Sequence, residues 1–268
     1  MKKLLAIVIS MAMIVAMMPV GVFGTNTTAT VTTAEQLKEA LEQGGNVQLE
    51  TDIDISNSTN KVSVPAGKSA ILDLNGNTLT AANTVVGNIC VYGELTLEDS
   101  KGNGKILSKT KYDGSVNTTK TVINVDGNGK FTMESGEIYT SIDEDAENKG
   151  NFAIGVWADA EAVINGGKVT AGWFAVATNG SDRGRSHIIV NGGELISIAD
   201  YAIYAAQKQG SVQINGGTIY GYAGGIAMNG GNLEVNDGVI TSKGTGDTGT
   251  WGDGTGNLKN AAININAK

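Results

Sequence analysis

The sequence predicts an all-β fold: a single-stranded, right-handed parallel β-helix with three strands per coil and an N-terminal capping α-helix. Three observations predict it. One short phrase recurs along the chain, its copies are spaced like the repeats of a solenoid, and a further apolar strand follows each copy. The phrase holds an apolar residue, Asn, Gly or Asp, Gly, a variable residue and an apolar residue, which indicates strand, turn and strand. Its clearest copies are VINGGKV (163–169), IVNGGEL (189–195), QINGGTI (213–219) and EVNDGVI (234–240).

Looser copies extend the pattern upstream. They are DLNGNTL (73–79), TMESGEI (132–138) and, with four extra residues inside the turn, LEDSKGNGKIL (97–107). The turn position is then held by Asn75, Glu98, Glu134, Asn165, Asn191, Asn215 and Asn236, at intervals of 21 to 36 residues. Glycine permits the bend, and asparagine tolerates left-handed backbone angles. Coils stacked at roughly 4.8 Å would bring the amides into one hydrogen-bonded file.

Residues 1–24 have the pattern of a secretory signal peptide. Lys2 and Lys3 precede an apolar run over 4–20, and the small residues Val22 and Gly24 precede a cleavage site. A retained membrane anchor is the alternative, disfavoured because about 17 apolar residues are few for a span. We therefore expect a secreted chain, extracellular or at the cell surface, whose mature part does not span a membrane.

Composition narrows the partners. The chain has 27 acidic and 19 basic residues and a net charge of −8. Cleavage of the signal peptide would remove Lys2 and Lys3 and bring the net charge to about −10. This acidic balance argues against nucleic acid and anionic membrane surfaces. A single cysteine, Cys90, excludes an intrachain disulfide.

The segment 25–45 is interpreted as a polar lead-in and a capping helix, and 46–268 as the solenoid. Thr32 with Glu35, or Thr33 with Gln36, would form a capping box, and both alternatives stay open. The helix is predicted over 33–43 and should end at Gly44. It would cover the first coil, whose open strand edge would otherwise invite aggregation.

Each later coil should carry a third strand. These are predicted at 88–92, 121–125, 152–157, 174–178, 202–206, 225–228 and 261–266. Period-2 alternation predicts an inward column of Ile89, Ile123, Ile154, Val176, Ile203, Ile226 and Ile263. The outward column would be Cys90, Asn124, Gly155, Ala177, Tyr204, Ala227 and Asn264, a flat, uncharged face. Long connections over 108–120, 140–151 and 241–260 would wall that face into a shallow groove.

The last predicted strand runs to Lys268 with no turn phrase or capping helix after it. We expect either that this uncapped C-terminal coil docks on a partner or that the chain is the front part of a longer architecture.

The Asn-Gly-Gly turns, the segment TTAEQLKEALEQGGNVQLETDIDI (32–55) and the phrase ILDLNGNTL (71–79) resemble the right-handed parallel β-helix proteins of the pectate-lyase-like superfamily. They look most like the N-terminal β-helix regions of adhesin-like secreted surface proteins of Gram-positive gut bacteria, over residues 30–268. The resemblance implies the fold, whereas activity varies within that superfamily.

The resemblance also indicates where enzymes would keep their chemistry. Lyases of this fold carry acidic calcium clusters and an Arg or Lys base on the third face, and the hydrolases carry three aspartates there. This sequence has only Asp126 and Asp159 just past two third-face strands, and no neighbouring carboxylates join them into a glycosidase pair. The favoured interpretation is a non-catalytic module. A lyase or hydrolase acting on acidic polysaccharide is the alternative.

Three stretches with charged residues are candidate binding sites. NGSDRGRSH (179–187) holds Arg183, Arg185 and the only histidine, His187, and would form an anion clamp or simply a solvated turn. IDEDAENKG (142–150) and GTGDTGTWGDGTG (244–256) offer acidic side chains that could hold Ca²⁺, but neither has an EF-hand spacing. No cofactor is expected, and both acidic stretches are interpreted as exposed loops.

Aromatic residues concentrate in three successive coils. Ordinary packing is the favoured interpretation of these rings, and stacking on sugar rings is the alternative, with Trp157, Trp173 and Tyr204 as its candidates. The sequence therefore predicts an exported, adhesin-like β-helix scaffold that binds an extracellular glycan or host surface ligand through its third face.

Overall fold

A computed structural model describes residues 27–57, 61–84, 87–108, 120–140, 151–178, 184–243, 249–250, 257–258 and 262–265. The predicted signal peptide, the acidic residues of both acidic stretches and Arg183 lie outside these residues. None of the described helices is long and apolar enough to cross a membrane.

The elements follow one another coil by coil. The lead-in holds β1 (Thr28–Val31) and α1 (Ala34–Gln43). Coil 1 holds β2 (Gly45–Leu49), β3 (Ile53–Asp54) and β4 (Val62–Val64), and coil 2 holds β5 (Ser69–Asp73), β6 (Thr78–Ala81) and β7 (Ile89–Val91). Coil 3 holds β8 (Glu94–Glu98), β9 (Lys105–Ser108) and β10 (Lys120–Val125), and coil 4 holds β11 (Lys130–Met133), β12 (Glu137–Thr140) and β13 (Asn151–Val156). Coil 5 holds β14 (Glu161–Ile164), β15 (Lys168–Ala171) and β16 (Val176–Thr178), and coil 6 holds β17 (His187–Val190), β18 (Glu194–Ser197) and β19 (Tyr201–Ala205). Coil 7 holds β20 (Ser211–Gly221) and β21 (Gly224–Met228), and coil 8 holds β22 (Asn232–Ser242), β23 (Gly249–Thr250), β24 (Asn257–Leu258) and β25 (Ile263–Ile265).

These strands form the three faces of a parallel β-helix. Face 1 runs from β2 through β5, β8, β11, β14 and β17 to the first half of β20, and face 2 runs from β3 through β6, β9, β12, β15 and β18 to its second half. Face 3 is a separate eight-stranded sheet from β4 to β25. Only the short pair β23–β24 is antiparallel among the described strands. Three strands per coil are confirmed, and β4 supplies a third strand in coil 1 that the sequence interpretation missed.

The predicted inward column of face 3 is confirmed by the strand register. Ile123 pairs with Ile89 on one side and with Ile154 on the other, and the same column continues to Ile226 and Ile263. Residues of this column from Ile89 to Ile226 are fully buried in one core that runs through the coils. In coil 8 the inward side chains are less covered, since Val235 is 45% and Ile265 64% exposed.

The N-terminal helix packs against the first coil as predicted. Thr33 is its N-cap, and the Thr33 hydroxyl accepts a hydrogen bond from the Gln36 backbone amide at 3.2 Å. Thr33 is thus the N-cap, as in the second alternative, but the Gln36 side chain accepts from the Thr32 amide at 2.9 Å instead of the Thr33 amide, so the capping box is not complete. Leu37 and Leu41 are completely buried. The lead-in is not irregular, however, because β1 pairs in parallel with β2 and adds a strand to face 1.

The predicted asparagine file is confirmed. The side-chain amides of Asn191, Asn215 and Asn236 each donate to the Oδ1 of the asparagine one coil below, at 2.7 to 2.8 Å. Asn165 ends the ladder by donating to the Glu134 carboxylate at 2.8 Å. The hydrogen bonds of the ladder are exposed on the outer surface of the turns.

Two details of the turn differ from the expectation. The residue opposite Glu98 is Asp73, not Asn75, whose side chain instead donates to the Leu49 carbonyl. In the four clearest copies the positive φ angle belongs to the glycine two residues after the asparagine, such as Gly193 at 76°, and not to the asparagines of the ladder. The bend therefore depends on glycine, and the ladder asparagines keep ordinary backbone angles.

Candidate functional site

A second hydrophobic cluster lies outside the solenoid core, on the outer side of face 3. In β13 the consecutive residues Ala153 and Ile154 both belong to the main core, whereas Phe152 belongs to the separate cluster. The next two coils repeat this arrangement with Phe174 and Tyr201. Strict alternation would have turned all three rings inward. The recurring triplets FAI, FAV and YAI were the available signal, and period-2 reasoning missed it.

The rings of this outer cluster pack closely around Phe174. Tyr204 stacks on Phe174 with centroids 5.0 Å apart and an interplanar angle of 13°, and Trp173 stacks on it at 4.5 Å and 22°. Phe152 meets Phe174 edge to face at 5.0 Å. Such pairs add about 0.5–1.5 kcal/mol each to the stabilisation from burial. The cluster is therefore a rigid platform.

The candidate residues Trp157, Trp173 and Tyr204 form the partly exposed margin of this cluster. The indole N–H of Trp173 donates to Asp200 Oδ2 at 2.6 Å, and that of Trp157 donates to the Asn124 amide oxygen. Burial raises the pKa of the Tyr204 hydroxyl, which stays protonated at neutral pH. The structure thus brings the three aromatic candidates to one surface and fixes their orientation.

The prediction of a flat, exposed outward column on face 3 is wrong. Cys90, Asn124 and Ala177 occupy the expected outward column but are at most 4% exposed. Over Gly155 lies the Trp157 ring, so close that a Cβ there would be 2.5 Å from the indole. Burial also raises the pKa of the Cys90 thiol. In the coils from Phe152 to Tyr204 the described part of face 3 presents the margin of the aromatic cluster.

Arg185 lies at the corner between faces 3 and 1, apart from the stacked rings. Its guanidinium Nε donates to Gln209 Oε1 at 3.1 Å, and its backbone amide donates to Asp159 Oδ1 at 3.0 Å. His187 lies on face 1 with its Nδ1 2.7 Å from the Ser211 hydroxyl. Asp159 therefore orders this corner, and the anion clamp with Arg183 stays a prediction.

An acidic column continues the ladder below Asn165, and the sequence interpretation placed Glu98 and Glu134 in it but not Asp73. Strand register places Asp73, Glu98 and Glu134 on successive coils of face 1. Burial alone would raise the pKa of Asp73, but hydrogen bonds from Ser100, Gln48 and the Asn75 amide outweigh it and lower that pKa. Glu98 has its pKa raised by burial and by the negative charges of both neighbours. Among the described residues, no group of three His, Cys, Asp or Glu side chains is placed to hold a metal ion.

Replacing Glu98 with glutamine should stabilise the protein at pH 7 by about 0.5 kcal/mol, because like charges directly opposite in a sheet repel by that order. The folded state holds the Glu98 proton more tightly than the unfolded chain, so the destabilising contribution is present at neutral pH. It disappears as pH falls through the raised pKa and below the ordinary value. Thermal unfolding of Glu98→Gln and wild type from pH 7 to pH 3.5 checks this.

Glu137→Gln is the matched control. Glu137 occupies a face-2 strand between Lys105 and Lys168, where its charge is favourable. Its replacement should lower stability slightly at pH 7. A Glu98→Gln variant that is no more stable than wild type at pH 7 would contradict the repulsion.

Comparison with protein-family models, curated proteins and solved structures finds no match to this chain.

Proposed function

We propose that the protein is an exported, non-catalytic β-helix scaffold of the adhesin-like kind, related to the pectate-lyase-like superfamily, and that it binds glycans through the outer aromatic cluster. The observation that carries the proposal is the position of this cluster. Its rings lie outside the core, on the surface of a rigid solenoid, with Trp157, Trp173 and Tyr204 at its margin.

The geometry of the margin favours recognition by ring faces. Trp and Tyr offer large, rigid, amphipathic surfaces at a low cost in conformational entropy. The hydrogen bonds to Asp200 and Asn124 hold both indoles before a ligand arrives. A preorganised platform loses little side-chain freedom on binding, and this increases affinity.

Two sequence features support the cellular part of the proposal. The leader pattern in residues 1–24 supports export. The acidic composition favours an extracellular partner without strong negative charge. The Asp200 carboxylate accepts a hydrogen bond from the Trp173 indole N–H, which gives it a structural role at the cluster.

A glycan array with the mature chain, residues 25–268, tests the proposal. We expect binding to at least one class of glycan, and we expect Trp157→Ala with Trp173→Ala to weaken it at least tenfold. Tyr92→Ala is the matched control, since this ring is 40% exposed and does not belong to the cluster. Turnover of pectate or alginate in the presence of Ca²⁺, or an array without any bound glycan, would contradict the proposal.

A further inference from the structure

The outer side of face 2 carries an apolar patch, which Thr170 interrupts at one coil. We call it the tyrosine face and define it by Leu107, Tyr139, Ile196, Ile198, Tyr220 and Tyr222. Register places Leu107, Tyr139, Thr170, Ile196 and Tyr220 on successive coils in one outward column. Ile198 and Tyr222 follow Ile196 and Tyr220 by two residues, at the corner toward face 3.

This patch differs from scattered surface apolar residues. Ile198 is 40% and Tyr222 42% exposed, and both adjoin the column of Ile196 and Tyr220. Thr170 is only 6% exposed although its position points outward, so the exposed apolar surface is interrupted at this coil. Exposed apolar side chains grouped together, as Ile198 and Tyr222 are at the corner, mark interaction sites.

The tyrosines retain polar ends for a ligand. In the described part of the chain, the hydroxyls of Tyr139, Tyr220 and Tyr222 have no hydrogen-bond partner, unlike the hydroxyl of Tyr204 in the outer cluster. Tyr139 and Tyr220 are three coils apart, about 14 Å at the spacing of neighbouring strands. This distance suits several sugar rings.

The charges beside the patch compensate one another. The adjacent outward column alternates Lys105, Glu137, Lys168 and Glu194 on successive coils, with Lys168 Nζ 3.2 Å from Glu194 Oε2. The alternating column has no net charge, and the chain as a whole is acidic. One further cation, Lys243, lies at the corner with its Nζ 4.7 Å from the centre of the Tyr222 ring. The uncharged column and the acidic chain favour an uncharged ligand over a polyanion.

A glycan also fits better than a protein partner. The core of a protein–protein interface is depleted in charged residues. Here a full column of Lys and Glu side chains borders the ring column directly, with exposed fractions near one half for Lys168 and Glu194. A narrow apolar strip with free hydroxyls beside hydrated charges matches a sugar chain, which has apolar ring faces and polar edges.

We propose that the tyrosine face binds a neutral oligosaccharide, whose sugar rings stack on Tyr139 and Tyr220 and whose hydroxyls bond to those of Tyr139, Tyr220 and Tyr222. This inference rests on the glycan recognition proposed above and names both the ligand class and a second binding face. The sheet is continuous through these coils, so the surface is preorganised.

Binding of the mature chain, residues 25–268, to arrayed neutral and uronic-acid oligosaccharides over a series of protein concentrations tests this inference. The variant combines Tyr139→Thr with Tyr220→Thr, because threonine already stands in this column at Thr80, Thr170 and Thr241. We expect at least tenfold weaker binding of the neutral glycan and an unchanged unfolding temperature. The corresponding phenylalanine variants keep the rings and should lose about threefold, and Tyr222→Ala should weaken binding as well.

The outcomes separate this inference from the proposed function. If Trp157→Ala with Trp173→Ala abolishes glycan binding and the threonine variant binds like wild type, the tyrosine face is refuted and the proposed function stands. Tighter binding of uronic-acid than of neutral glycans, or loss of a protein partner alone in the threonine variant, would also overturn the inference. If wild type binds no glycan, both proposals fail.

Discussion

Replacing Gly193 with alanine should destabilise the protein by about 3 kcal/mol. The backbone φ at Gly193 is 76°, and a left-handed conformation costs an alanine about 1–2 kcal/mol. A Cβ there would also lie 2.7 Å from the Gly167 carbonyl oxygen of the coil below. Overpacking of this kind adds typically 1–3 kcal/mol. Urea unfolding followed by circular dichroism measures the change.

Gly102→Ala separates the two contributions. Gly102 has nearly the same φ, 75°, but no atom lies within 4 Å of the added Cβ. Its replacement should cost only about 1 kcal/mol of backbone strain. Equal losses in the two variants would mean that stacking of the coils imposes no steric limit at Gly193.

Removing the Phe174 ring should cost about 3–5 kcal/mol, the range for deleting a buried aromatic side chain. Phe174 is 1% exposed and lies at the centre of the outer cluster, stacked against Trp173 and Tyr204. In Phe174→Ala both neighbours lose their stacking partner. We expect a lower unfolding temperature, a red shift in tryptophan fluorescence and weaker glycan binding.

Phe131→Ala is the comparison for this variant. Phe131 is completely buried in the solenoid core, so its removal should cost similar stability but leave the outer rings in place. Below its unfolding temperature this control should keep wild-type glycan affinity. A Phe174→Ala variant that loses less than about 1 kcal/mol would show that the outer cluster is not a packed unit.

The architecture could be predicted from the sequence because its determinants are local and repeated. Each turn phrase marks one coil, and the alternation in the third strand places Ile123 and Ile154 in one column. The capping helix has its own boundary signals in Thr33 and Gly44. These local signals can be recognised in the sequence without knowing which coils are neighbours in the structure.

The remaining features depend on neighbours that the alternation rule does not show. At the start of the face-3 strands two consecutive side chains point inward, which turns Phe152 and Phe174 out of the core. The choice between Asp73 and Asn75 opposite Glu98 depended on the strand register around a turn of variable length. The strand β1 was missed because its partner β2 comes after the helix. Trp157, Trp173 and Tyr204 were nevertheless found, since large rings among glycines are conspicuous.

The asparagine ladder has a direction, since every amide from Asn236 down to Asn165 donates toward the N-terminal end. Each coil in this stretch offers the same oxygen above and the same N–H below. A duplicated copy of such a coil would find both of its partners ready. Face 2 would then grow by one rung, as would face 3, and the molecule could be lengthened like a polymer whose monomers join head to tail.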